Sequence, residues 1–154
     1  MLVRSKYIRF LAVFVLVFAT AFLLPKNTQN CAFEDTYKMV TVRHLHTSIH
    51  SAVANTDALR ELGLGNRACM PDNQGMLFEF ANADKYGFWM KDMRFAIDIL
   101  WINANKKVIS IQRDVDPSTY PSTYYPSEPA LYVLELPHGK ATSYVFVNGT
   151  QLSW

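Results

Sequence analysis

The sequence predicts a mainly β fold, with α+β as the alternative: a small barrel-like or half-open antiparallel β domain with one or two short helices, preceded by an N-terminal hydrophobic helix. Three observations lead there. From residue 37 onward, about seven short apolar or alternating runs are separated by turn residues at intervals of roughly 8–12 positions, the pattern of a sandwich or barrel. A single stretch has the caps and spacing of a soluble helix. Residues 10–24 (FLAVFVLVFATAFLL) form an apolar run without a charge.

That first run has Arg4, Lys6 and Arg9 before it and Lys26 after it, as an export signal requires. Its length lies between a signal-peptide core and a spanning helix, so residues 1–24 read as a signal peptide or a signal anchor. Ala19-Thr20-Ala21 offers a cleavage site, whereas Phe22, Leu23 and Leu24 extend the run as an anchor would, and both fates stay open. Residues 25–36 (PKNTQNCAFEDT) are polar, begin with a proline and read as a linker. Residues 37–154 then make one β-rich domain, as a chain of 154 residues with 18% charged can. The expected location is extracytoplasmic, either membrane-anchored or periplasmic/secreted, with the membrane as a partner through residues 10–24.

Within the domain, residues 37–45 and 47–54 are rich in β-branched side chains and predict two strands joined around His44-Leu45-His46. Thr56 or Asp57 can cap a short helix through Leu62, with Gly63 after its last turn. Residues 65–75 hold two glycines, Pro71 and Asp72-Asn73, which is loop chemistry. Met76, Phe78 and Phe80 alternate with Leu77 and Glu79 as one strand; residues 82–85 turn; Tyr86, Phe88 and Met90 alternate with Gly87, Trp89 and Lys91 as the next. Residues 97–102 are apolar except for Asp98 and should be central. Asn103-Ala104-Asn105-Lys106 predicts a tight turn into Val108, Ile109 and Ile111. Between 114 and 129, Pro117, Pro121, Pro126 and Pro129 argue against a regular ladder. Tyr120, Tyr124 and Tyr125 there either dock on one end of the domain or form an aromatic rim for a glycan or peptide. Residues 130–136 make a further strand, Pro137-His138-Gly139 a turn, and residues 144–147 a last apolar run.

The runs Gly75-Met76-Leu77-Phe78, Phe88-Trp89-Met90-Lys91, Ile97-Asp98-Ile99 and Val108-Ile109-Ser110-Ile111 are followed by Tyr132-Val133-Leu134-Glu135-Leu136-Pro137-x-Gly139. In these, taken in this order, the chain resembles the uncharacterised prokaryotic family called domain of unknown function 192. The resemblance implies a compact, mainly β, barrel-like domain, often behind a signal peptide, with no established activity. It also draws Arg67 among the candidate residues: where the family usually has Gly-Leu-Met-x-Arg, this chain has Gly63-Leu64-Gly65-Asn66-Arg67. Asp92-Met93 replaces the family's polar pair after the lysine. Val145-Phe146 replaces a helix-ending glycine, a change that would remove the last helix.

Trp89 and Lys91 share the face opposite Tyr86, Phe88 and Met90, and Asp98 follows on the next strand. A lysine, a carboxylate and an indole on one surface could hold a polar ligand by charge-assisted hydrogen bonds and stacking. With Arg67 and Tyr124 they form the candidate ligand-binding set. The plainer alternative is that Asp98 pairs with Lys91 or Arg94, or caps backbone groups near the strand end. No catalytic residue is assigned, because Asp92 and Asp98 could form an acid–base pair but Glu79 and Glu135 are equally available. Cys31 and Cys69 form a possible disulfide or stay two thiols. His44, His46 and His50 share a parity, yet across what reads as a strand junction, so neither a metal nor another cofactor is expected.

G-x-S-x-G, H-E-x-x-H, P-loop and G-x-G-x-x-G strings are absent. Four of the fifteen basic residues flank the leader, leaving residues 27–154 with eleven basic against thirteen acidic groups. That balance, without a basic cluster, argues against nucleic acid as a partner. The expected role is an envelope module binding an unknown small molecule or glycan rather than transforming it. An envelope hydrolase using Asp98 with Lys91, and a structural or interaction protein, are the alternatives.

Overall fold

The computed structural model describes Cys31, Phe33 and residues 36–154. The expected N-terminal hydrophobic helix lies outside the described residues. Among those described, no helix is long and apolar enough to cross a membrane.

The chain forms β1 (Met39–His44), β2 (Thr47–Ala54), α1 (Asp57–Leu62), β3 (Gln74–Asp84), β4 (Phe88–Trp89), β5 (Ile97–Ile102) and β6 (Val108–Val115). A 3-10 turn (Pro117–Thr119), β7 (Thr123–Tyr124), β8 (Ala130–Pro137) and α2 (Lys140–Ser143) follow. Six strands make one sheet in the order β1-β2-β3-β8-β5-β6, and β4 pairs with β7 in a separate ribbon. The pair β2–β3 is parallel, because α1 and the loop behind it carry the chain back before β3 begins, the long crossover such a pair needs. The fold is therefore mainly β with two short helices. The sheet is open, the half-open rather than the barrel-like form of the expectation, and one part of that expectation is corrected: the sheet is mixed rather than antiparallel throughout. At one end the C-terminal segment touches both edge strands' ends, with Ser153 bridging Arg43 and Gln151 bridging Lys107.

Side-chain alternation gives the sheet two buried faces. One packs Met76, Phe78, Ile97, Ile99, Trp101 and Val133 with Leu59 of α1 and with Phe88 and Tyr124 of the β4–β7 ribbon. The other packs Leu77, Leu100, Ile102, Leu134 and Leu136 with Ala141 of α2, Phe146 and Leu152. All six residues of β5 are buried, although β3 and β8, not β5, hold the middle of the sheet.

Local chemistry explains the element limits. Thr56 accepts the Leu59 N–H at 3.3 Å and caps α1, and Gly63 leaves the helix at φ 49°, a conformation glycine adopts without strain. Strand β3 runs past the turn expected at 82–85 and pairs Asp84 with Ala130 beyond an irregularity in register. The strand expected over 86–90 shrinks to Phe88–Trp89, because its partner in the proline-tyrosine loop offers only Thr123 and Tyr124. That loop docks on the domain. Gly87 lies so close beneath it that a Cβ would come within 2.6 Å of the Thr123 and Tyr125 side chains.

Residues 144–147 form a helix end instead of a strand. The Phe146 N–H donates to Ala141 O at 2.9 Å and the Val145 N–H to Thr142 O at 3.0 Å, the double closure of a Schellman motif. Val145 takes the left-handed place, φ 57°, normally given to glycine. The last helix thus exists without that glycine. Cys31 and Cys69 are joined in a disulfide with Cα atoms 5.2 Å apart, tying the segment before β1 to the loop before β3.

Candidate functional site

A cavity of about 340 Å³ opens between the C-terminal end of α1, β3 and the turn around β4. Each wall follows from a local feature. Gly63 ends α1 and lets the chain swing into Leu64-Gly65-Asn66, where the Asn66 N–H donates to Asp92 O at 2.8 Å and fixes the two rims against each other. Phe78 and Phe80 project from β3 on the same side by strand parity. Phe80 stacks on Tyr86 with ring centroids 3.5 Å apart and planes 8° from parallel. Phe88 meets Phe78 edge to face at 4.8 Å. Trp101, buried beside them, holds the turn by donating its indole N–H to Tyr86 O at 3.0 Å. Trp89 stands at the mouth, 53% exposed, with Tyr120 of the docked loop 6.3 Å away.

The rim charges largely belong to one another or to solvent. Arg60 donates to Asp57 Oδ1 at 2.6 Å and to Glu79 O at 2.7 Å, with its guanidinium carbon 5.3 Å from the Phe80 ring centroid. Lys91 and Asp92 are exposed. At the base of the cavity lies Glu135, only 4% exposed. Strand β8 places it opposite Met76 of β3 and Ile99 of β5, so its side chain shares the aromatic face. Its Oε2 is buried without a hydrogen-bond partner. Removal from water pushes its carboxyl up to about 8, because an ion without a compensating partner is penalised there. The site thus offers a protonated carboxyl under an aromatic enclosure, able to donate or accept a hydrogen bond or to exchange a proton.

Of the residues expected to bind ligand, Trp89 and Lys91 line the cavity. Asp98 does not join them. It points to the other face of the sheet, where Oδ1 accepts the Asp114 N–H at 2.9 Å and Oδ2 the Ala141 N–H at 2.7 Å. This is the backbone-capping alternative, and the expected Trp89–Lys91–Asp98 surface is corrected accordingly. Arg67 is held away from the cavity by the segment before β1, donating to Cys31 O at 3.1 Å and lying 4.2 Å over the Phe33 ring. Tyr124 pairs with Phe88 in the ribbon and packs against the core behind the cavity wall. His44 and His46 fall at the β1–β2 turn while His50 lies opposite Thr41, and among the described residues no cluster of metal-capable side chains occurs. The signal that could have found Glu135 is the one that singled out Asp98: one carboxyl inside an otherwise apolar strand.

A family model for an uncharacterised group, described as "Uncharacterized ACR", matches residues 39–154. The chain belongs to the DUF192 family. Among solved structures it is similar to a protein described as a candidate transcription regulator of Sinorhizobium meliloti 1021. That match is 28% identical, covers 79% of this chain and 97% of that one, and has a TM-score of 0.73. A protein of unknown function from Novosphingobium aromaticivorans DSM 12444 is 25% identical over 80% of this chain and 91% of its own, with a TM-score of 0.74. No curated protein matches the chain significantly. For this DUF192 member the comparisons give the fold, and the reading of the site rests on its geometry.

Proposed function

We propose that this DUF192 chain is a small-ligand-binding module of the cell envelope, with the cavity over Glu135 as its site. The observation that carries the reading is the buried, unpartnered Oε2 of Glu135 at the base of an open aromatic cavity. Buried polar atoms in folded proteins find partners almost without exception, and a group left short at the bottom of a cavity is satisfied when a ligand fills it. A volume of about 340 Å³ suits a small molecule rather than a polymer, since ligand cavities run from about 300 Å³ upward. Placement outside the cytoplasm rests on the basic-flanked apolar leader, and the Cys31–Cys69 disulfide supports it because cytosolic thiols are kept reduced.

A thermal-shift screen of small molecules on the full chain tests the proposal. A ligand present at about 100 times its Kd should add about 2.7 kcal/mol of stability, and Trp89→Ala or Glu135→Leu should remove the shift. If stabilisation survives both substitutions, the site is elsewhere. A second reading is favoured by the same carboxyl: a group holding its proton to about 8 is suited to general acid–base work, which moves the enzymatic alternative from Asp98 to Glu135. Glu135→Gln separates the two, since an enzyme would keep ligand affinity and lose turnover.

A further inference from the structure

The chemistry of the cavity also narrows what it takes up. The acceptor at its base is a carboxyl oxygen whose burial leaves it without a donor, and its walls include the rings of Phe78, Phe80, Tyr86 and Phe88, with Trp89 at the mouth. The charged groups facing Glu135 across the cavity are Arg60 and Glu61 from α1, and Lys91 and Asp92 from the turn after β4. They balance, two basic against two acidic, and Arg60 is committed to Asp57 and the Glu79 carbonyl. The base of the cavity therefore sets its electrostatic character. An anion could only accept from the protonated carboxyl and would be repelled once that group ionises. A neutral hydroxyl would gain one ordinary hydrogen bond. A cation with N–H groups would gain a charge-assisted bond, roughly twice as strong, together with attraction to the negative ring faces.

We infer that the ligand is a small organic ammonium ion, its N–H groups donating to the Glu135 carboxylate and its apolar body lying against Phe78, Tyr86 and Phe88. This rests on the pocket being the binding site and adds the charge class of what binds there. Occupation is coupled to a proton: the empty cavity favours the protonated carboxyl, the bound cation favours the carboxylate, and the displaced proton goes to solvent. Affinity for the ammonium ion must then rise with pH until Glu135 is ionised in the empty protein.

Isothermal titration of the full chain in detergent micelles with phenethylamine, phenethyl alcohol and hydrocinnamate tests this, because the three probes share a ring and differ in the charge of the head group. The amine should bind at least about tenfold more tightly than the other two, a gain typical of a charge-assisted contact. Its affinity should rise about tenfold between about pH 6 and pH 7, with about one proton released per molecule bound. Glu135→Gln should abolish the preference for the amine and the proton release. Should that variant not fold, proton release by the unsubstituted chain, read in buffers of different protonation enthalpy, decides alone. Equal or tighter binding of the alcohol or the acid at the Trp89-lined cavity overturns the ammonium assignment and leaves the pocket standing, as does amine binding without proton release. Failure of all three probes to bind overturns both.

Discussion

Asp98 and Glu135 occupy adjacent strands one register position apart, Asp98 opposite Leu136 and Glu135 opposite Ile99. Each is the only charged residue in its strand, and each is buried. Strand parity sends them to opposite faces of the sheet, and there the likeness ends. Asp98 accepts two backbone N–H groups and seats α2 and the end of β6. Glu135 leaves Oε2 unpartnered at the base of a cavity. A buried carboxyl is therefore no sign of a site in itself. A satisfied one is a brace, and an unsatisfied one beside open volume is where a ligand belongs.

Substitution should divide the two faces. The largest effect is expected from Asp98→Ala, which strands the buried Ala141 N–H and frees the Asp114 N–H. At about 1–3 kcal/mol for each of the two orphaned donors, the loss is about 2–6 kcal/mol, read as a lower urea midpoint. A loss below about 1 kcal/mol would remove Asp98's role as a brace. Asp98→Asn keeps one acceptor and should cost about half as much.

On the other face the sign reverses. The unfolded chain releases the Glu135 proton near 4.5, whereas the folded chain keeps it to about 8. The folded state therefore holds an extra proton between those values, and stability contributed by this group falls as pH rises through that window. Glu135→Gln should flatten the slope and, at about pH 8, stabilise the ligand-free protein by a few kcal/mol relative to its effect near pH 5. Denaturation curves at the two pH values measure it, and an unchanged slope would contradict the account. The smallest effect concerns the helix that Asp98 seats. Val145, 68% exposed and at φ 57°, is a β-branched residue in a left-handed position, so Val145→Gly should gain about 0.5–1 kcal/mol in melting experiments.

How much of this was legible in the sequence follows from where the deciding partners lie. The β1–β2 hairpin and α1 could be read because alternation, Thr56 and Gly63 act within a few residues. The parallel β2–β3 pair could not, since alternation says which side chains face together and nothing about which strand lies alongside. Helix α2 was obscured by Val145, because a β-branched residue rarely closes a Schellman motif and tertiary packing of Phe146 and Ala141 holds it there. At the site, Trp89 and Lys91 followed from local parity. The roles of Asp98 and Glu135 did not, because the N–H groups that satisfy Asp98 belong to Asp114 and Ala141, 16 and 43 positions away, and the cavity over Glu135 exists only once α1, β3 and the β4 turn meet.

The most direct test is an NMR titration of the Glu135 side-chain carboxyl carbon in the ligand-free full chain. A midpoint near 8 is expected if the carboxyl sits dry and unpartnered beneath the aromatic cavity. A midpoint at the ordinary value near 4.5 would mean that water or an internal donor already satisfies it, and would contradict the account.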